Sequence, residues 1–305
     1  MIVKNEEEVL GRCLDSVAGF PDEILVADTG STDGTKAAAM ERGARVFDFP
    51  WRDDFAAARN FSFSQGRGTY LFWMDADDVV RPDQRRKLLD LKERLGRADC
   101  LPDVVMMKYA AAFRRDGSLA AAFYRERLIR RKAHLRWKGA VHETIPFVPR
   151  RYVSDIAIEH HKLHCADPQR NLRILEKLKQ AGTMDTRQRY YYARELADHQ
   201  RYEEALSEYE LFLMDPAGWS ENKIDACLSM ARCWHALKQR QKEFSSLIQA
   251  FRYAPPRGEI CCGLGRYFYI EKNWECAVFW YQLATTLPLP LDRGGFVNLD
   301  CYGYI

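Results

Sequence analysis

The sequence predicts two domains of different class: an α/β, Rossmann-like domain over residues 1–165 and an all-α helical-repeat domain over residues 166–305. Three observations predict it. Up to about residue 165 short apolar strands alternate with helices, the grammar of an α/β domain. Beyond that point the strand signals vanish, and small and aromatic residues recur at offsets of 38 and 34. A length of 305 residues fits two domains rather than one.

In the first half, Asn5 with Glu8 reads as a capping pair opening a helix. The apolar face of that helix is Val9, Leu10, Cys13, Leu14 and Val17. Ile24-Leu25-Val26-Ala27 is a buried strand that stops at Asp28, and the turn over 29–34 feeds a second helix. Arg45-Val46-Phe47 is the next strand, ended by Pro50, and residues 55–63 read as helix. Tyr70-Leu71-Phe72-Trp73-Met74 is expected to be a central strand running into Asp75-Ala76-Asp77-Asp78. Apolar stretches over 104–110 and 119–124 flank Arg115-Asp116-Gly117-Ser118, a hairpin signal.

In the second half, Asp167-Pro168 reads as an N-cap with proline at the first helical position, and Gly182 closes that helix. Ala193, Ala231 and Gly265 are spaced 38 and 34 apart; Tyr209, Leu247 and Tyr281 keep both offsets, as do Phe212, Ala250 and Ala284. This pattern resembles the tetratricopeptide repeat, which sets small residues where paired helices cross. The middle copy departs from it, with Arg240 and Glu243 where an aromatic and an alanine are expected. Three copies in phase argue for a repeat rather than an isolated helical hairpin.

With 46 basic and 43 acidic residues the net charge is only +3, which gives no case for a nucleic-acid partner. No apolar run approaches the roughly 18–20 residues of a membrane span. Met1-Ile2-Val3-Lys4-Asn5-Glu6-Glu7 turns acidic at once, so no signal peptide is expected. Nine scattered cysteines, an odd number, read as reduced packing residues of a cytoplasmic protein. Both ends read as cut: three residues precede Lys4, and the apolar stretch 297–305 reads like the start of a fourth repeat.

In open α/β sheets, ligands bind beyond the carboxyl ends of the strands. Asp28 follows one strand there, and Asp75 and Asp77 follow another. Two carboxylates one residue apart can serve different atoms of one ligand: one holds a divalent cation while the other accepts a ribose hydroxyl. A diphosphate is the natural partner of such a cation, because hard oxygens suit magnesium or manganese. Arg59-Asn60, lying between these carboxylates in the chain, offers a fixed cation and an amide to a phosphate or sugar. Trp51 with Asp53-Asp54-Phe55 is a candidate lining of a sugar pocket. Trp73, inside a strand, reads as core, Tyr190-Tyr191-Tyr192 as packing, and Arg85-Arg86-Lys87 as a solvated helix face. His160-His161 with His164 and Cys165 suggests zinc at first sight, but the spacing fits no standard zinc pattern.

Ile2-Val3-Lys4-Asn5-Glu6-Glu7, the segment Val26-Ala27-Asp28-Thr29-Gly30-Ser31-Thr32-Asp33-Gly34-Thr35 and Met74-Asp75-Ala76-Asp77-Asp78 together resemble family 2 glycosyltransferases of the GT-A fold. The chain is most similar to bacterial members that carry tetratricopeptide repeats behind the catalytic domain, among them peptide S-glycosyltransferases. The resemblance implies a nucleotide-sugar site built from Asn5, Asp28, Arg59, Asn60 and Asp75. Asp28 would contact the uracil or ribose, and Asp75 the ribose or diphosphate. Asp77 would ligate the Mn²⁺ or Mg²⁺ on the diphosphate, with His160 touching the metal or diphosphate. Trp137-Lys138-Gly139-Ala140-Val141-His142-Glu143 is similar to a family stretch ending in His-Glu. Inversion by single displacement needs one general base. Glu143 is the candidate, with His142 the alternative as base or ligand.

The implied enzyme is a metal-dependent inverting glycosyltransferase taking a nucleotide-diphosphate sugar. Its repeats would hold a peptide or protein acceptor or pair the chain with itself. Two alternatives stand beside it: an interaction scaffold with an inactive GT-A domain, and a lipopolysaccharide-core glucosyltransferase.

Overall fold

Three parallel strands with two intervening helices open the chain: β1 (Ile2–Val3), α1 (Glu7–Ser16), β2 (Leu25–Asp28), α2 (Thr35–Glu41) and β3 (Arg45–Asp48). The molecule is described by a computed structural model covering residues 1–114, 116–161, 167–290, 295 and 297–303. Strand order follows chain order, since each helical crossover returns the chain beside the strand it left. Val3 pairs with Asp28 and Asp28 with Asp48, so these strands end level. The face of α1 that is buried is Val9, Leu10, Cys13 and Leu14, as its 3.6-residue period predicts.

The start of α1 differs from expectation. Asn5 has φ +55° and does not cap the helix; its Oδ1 accepts the Thr32 N–H (2.8 Å), and its own N–H donates to Ser31 Oγ (2.9 Å). The loop after β2 supplies the cap instead: Thr35 Oγ1 accepts the Glu6 N–H (2.7 Å) and Asp33 the Glu7 N–H (3.2 Å). Asn5 thus fixes the loop carried by Asp28.

The chain continues through α3 (Phe55–Ser64), β4 (Tyr70–Phe72), β5 (Asp78–Val79), α4 (Pro82–Arg97), β6 (Val104–Phe113), β7 (Leu119–Arg130) and β8 (Arg151–His160). These strands form a second, mixed sheet in the order β4-β7-β6-β8-β5. The expected central strand at 70–74 is therefore a three-residue edge strand, paired antiparallel with β7 alone. Trp73 and Met74 leave that pairing but stay in the core, each 2% exposed. The register that matters most is β5 on β8, which sets Asp78 opposite His160.

The chain divides into two compact units, residues 1–113 with 124–168 and residues 114–123 with 169–305. The hairpin tip over 114–123 counts with the second unit, which a single boundary in sequence does not foresee. Residues 162–166, with Lys162, Leu163, His164 and Cys165, lie outside the described residues.

The second unit is helical: α5 (Arg170–Gln180), α6 (Thr186–Asp198), α7 (Tyr202–Met214), α8 (Ser220–Ala236), α9 (Arg240–Gln249), α10 (Gly258–Ile270) and α11 (Trp274–Thr286). The fold class is thus a mixed α/β part followed by helices. Asp167 does not cap α5, which begins at Arg170, whereas Gly182 does follow its end with φ +66°. α6/α7, α8/α9 and α10/α11 pack as hairpins. Ala193, Tyr209 and Phe212 are fully buried where the first pair crosses. At Gly265 an added Cβ would lie 3.0 Å from the Tyr281 ring, so the two helices approach closely there and a larger residue would press on that ring. In the middle copy Arg240 pairs with Glu243 and lies 4.3 Å from the Tyr267 ring centre, so an ion pair on an aromatic face stands where an apolar contact is expected. The C-terminal stretch begins no fourth helical pair among the described residues. Val297–Asn298 is a short strand, β9, pairing with Ala121 and Ala122.

Candidate active site

The carboxyl ends of the strands gather the acidic residues, because an apolar run can place a carboxylate only where it leaves the core. Asp28 closes β2 and is 1% exposed. Its Oδ1 accepts the N–H groups of Gly30 and Ser31, both at 3.0 Å. Its Oδ2 is buried and, among the described residues, has no partner. Burial works against the charge on Asp28, yet bonds from Ser31 and Gly30, with Lys36 near, hold its carboxyl below the usual range. The result is an ionised carboxylate with one acceptor to offer.

Asp75 follows Met74. Its Oδ1 receives Arg59 Nη2 at 2.8 Å. The same guanidinium donates through Nε to Glu143. Arg59 lies on α3 and is 7% exposed, with Trp73 and Trp137 ring centres 4.4 and 5.1 Å from its guanidinium carbon. Burial alone would raise the Asp75 carboxyl; Arg59, with Arg127 and Arg125 near, brings it down to about 2.

Glu143 sits on a tight loop closed by paired backbone bonds between Lys138 and Thr144, both 3.0 Å. Gly139 (φ +98°) and His142 (φ +53°) make its turns. His142 therefore occupies the left-handed region that few non-glycine residues enter. Helix α3 ties the loop down at two points. Phe55 N–H donates to Ala140 O (2.8 Å), and both ends of the Asn60 amide bond the Trp137 backbone (2.9 and 3.0 Å). Asn60, expected at the donor, is thus occupied with the Glu143 loop. Trp51 is half-buried, with Nε1 on Asp53 at 2.9 Å.

Asp77 and Asp78 divide their work. Asp78 is fully buried, and its Oδ2 accepts the Asp75 N–H (3.0 Å) and Arg127 Nη1 (2.8 Å). Arg127 is fully buried as well, its guanidinium carbon 4.0 Å from the Trp73 ring centre and 4.6 Å from that of Tyr109. His160 Nδ1 lies 3.2 Å from Asp77 Oδ1 and 3.3 Å from Asp78 Oδ1. Ligand atoms of Asp77, Asp78 and His160 fall within 4.8 Å of one another. Burial opposes a charged His160, but the two carboxylates raise its imidazole to about 10. The two carboxylates favour a cation beside them, and with the imidazole in its neutral form their oxygens and its nitrogen fit a divalent ion such as Mn²⁺.

Residues 1–151 match the family profile described as glycosyl transferase family 2. The chain carries a domain of that family. Asp28, Asp75, Asp77, Asp78 and Glu143 all fall inside the glycosyl transferase match, and His160 lies just past its end. A TPR repeat-containing protein of Synechococcus elongatus is 34% identical over 145 residues, covering 48% of this chain and 34% of that one. The SPbeta prophage-derived glycosyltransferase SunS of Bacillus subtilis is 23% identical over 229 residues, covering 68% and 50%. Glucosyl-3-phosphoglycerate synthase of Mycobacterium tuberculosis is a structural neighbour at 17% identity and TM-score 0.40, covering 60% of this chain and 78% of its own. The chain spans a third to a half of the length of these curated relatives, 34% and 50%.

Sequence reasoning missed the site roles of Asp78, Arg127 and Trp137. Arg127 carried no separate signal, since it follows Arg125 and Glu126 in a charged stretch of β7. No helix among the described residues is long and apolar enough to cross a membrane.

Proposed function

We propose that this chain is an inverting glycosyltransferase that moves a sugar from a nucleotide-diphosphate donor, a uridine one first, to a peptide or protein acceptor. The observation that carries the reading is Arg59, which holds Asp75 and Glu143 on one buried guanidinium. A donor-side carboxylate and the candidate base are thereby fixed beside each other.

In this reading the free Oδ2 of Asp28 accepts a hydrogen bond from the nucleobase or ribose, leaving no buried acceptor unpaired. Asp75 accepts from a ribose hydroxyl with the oxygen that Arg59 does not occupy. Asp77 and His160 would hold a divalent cation, with Asp78, neutralised by Arg127, behind them. When bound, such a cation offsets the charge that collects on the departing diphosphate. Glu143 takes the proton from the acceptor as its nucleophilic atom attacks the anomeric carbon from the side opposite the leaving group. Asn60 and Arg59 act through Glu143, keeping its loop and its carboxylate in place. His142, next in the loop, is the alternative base.

Hydrolysis or transfer of a panel of nucleotide sugars tests the reading. Turnover of one donor, abolished by Glu143→Gln with donor binding kept, supports it. Turnover unchanged in Glu143→Gln removes the assigned base, and no donor bound by the folded protein removes the reading itself.

A further inference from the structure

One end of the mixed sheet in the first unit is strongly basic. β7 leaves it through Arg130, Arg131 and Lys132, and β8 enters from it through Arg150 and Arg151. Asp103 joins the two segments. Its carbonyl accepts the Arg130 N–H (2.8 Å), its N–H donates to Arg150 O (2.7 Å), and its carboxylate lies 3.6 and 3.2 Å from their guanidinium groups. Five cations thus gather around one carboxylate. Arg131 gives Nε to the carbonyl of Gly68 (2.9 Å), Lys132 is exposed, and the guanidinium carbon of Arg151 lies 4.5 Å from the Phe147 ring centre. Neighbouring charges do not cancel the excess: Arg94 and Arg97 are matched in number by Glu93 and Asp99, and Lys87 pairs with Asp155.

These cations are not placed to serve the proposed donor. Arg151 opens β8 and His160 closes it, which sets the two about 30 Å apart along the strand. The same end instead carries apolar groups that face water. Phe147 is 71% exposed on the loop Ile145-Pro146-Phe147-Val148-Pro149, where Ile145 is buried and the two prolines limit the freedom of the backbone. Tyr152 and Val153, at the start of β8, are exposed beside it. A polyanion in solution would engage the cations and leave these side chains in water. A bilayer with anionic headgroups engages both kinds of group: its surface potential attracts Lys and Arg, and its headgroup layer takes an aromatic ring out of water.

We infer that this end of the first unit seats on an anionic lipid surface, with Phe147 entering the headgroup layer and Arg131, Lys132, Arg150 and Arg151 on the lipid phosphates. Asp75 and His160 lie at the opposite end of their strands, so such seating leaves the candidate site clear. The inference stands independently of the donor-site reading.

Co-sedimentation of the full chain with phosphatidylcholine vesicles, with and without phosphatidylglycerol, tests it, and labelled oligothymidylate and oligo-glutamate serve as soluble polyanions. The chain should bind only the vesicles that contain phosphatidylglycerol, and less as salt is added. Phe147→Ser should weaken that binding about tenfold without affecting either polyanion, and Lys132→Glu and Arg151→Glu should each weaken it about tenfold. Arg86→Glu, near the other end of α4 from Arg97, should bind as the wild type does. Equal melting temperatures in the variants separate these losses from misfolding. The inference is overturned if the phosphatidylglycerol vesicles do not bring the chain down, or if the three weakened variants bind them as the wild type does. It is overturned as well if Phe147→Ser changes nothing while the charge reversals abolish binding of a polyanion, which would make this a surface for a soluble partner.

Discussion

Arg59 and Glu143 are 84 residues apart in the chain and bonded side chain to side chain, Nε to carboxylate, in a site where Arg59 is 7% exposed. The second arm of that guanidinium reaches Asp75 at 2.8 Å. One cation thus ties the loop carrying the proposed base to the strand end carrying the proposed donor carboxylate. Two indoles flank it, so its position is set by packing as well as charge.

Arg59→Lys should be far from conservative. An ammonium is a compact point charge, without the fixed planar edge that sets two carboxylates or the flat face that lies against both rings. We expect stability to fall by about 1–3 kcal/mol in urea titrations and kcat by about 10²-fold through misplacement of Glu143. A variant with wild-type turnover would show that the bridge does not position the base.

Glu143→Gln keeps shape and removes the proton acceptor. The expected result is a kcat lower by about 10²–10⁴-fold with unchanged donor affinity. His142→Ala should cost less. If the order of the two losses is reversed, the base is His142.

The Asp78–Arg127 pair, with both side chains at 0% exposure, is structural in this account. Asp78→Ala would strand a buried guanidinium and should cost about 3–5 kcal/mol of folding stability. Denaturation without any ligand measures it. A loss below the error of that measurement would mean that the charge is compensated elsewhere.

Asp28 gives a pH test of known sign. Its carboxyl is held below the usual range in the folded chain, despite burial, by bonds from Ser31 and Gly30. The stability it contributes is present above its unfolded pKa, about 3.9, and is lost as pH falls through its lower folded value. Asp28→Asn should therefore flatten the fall in stability on acidification below that point. Parallel acid-denaturation curves for the two proteins would contradict the assignment.

Much of this was legible in the sequence for a physical reason. A carboxylate after an apolar strand has one place to be, so Asp28, Asp75 and Asp77 announced the edge at which the candidate site is built. Small residues in phase announced crossing helices, and Gly265 against Tyr281 shows why. What stayed hidden depends on register between distant segments. Nothing in Asp75-Ala76-Asp77-Asp78 says which carboxylate turns inward; that follows from β5 pairing with β8, which sets Asp78 opposite His160. The roles of Asn5 and Asn60 were hidden likewise. They bond backbone 27 and 77 residues away, contacts no local pattern encodes. Strand β4 was misplaced because an apolar run does not reveal how many partners it has.

The central claim is a donor site that joins a nucleotide to a divalent ion through Asp77. Calorimetric titration of uridine diphosphate, with and without Mn²⁺, into the wild-type chain and Asp77→Asn tests it most directly. The account predicts micromolar binding that requires the metal and is lost in the variant, while both proteins melt alike. Binding that is indifferent to Mn²⁺ and to Asp77 would contradict it.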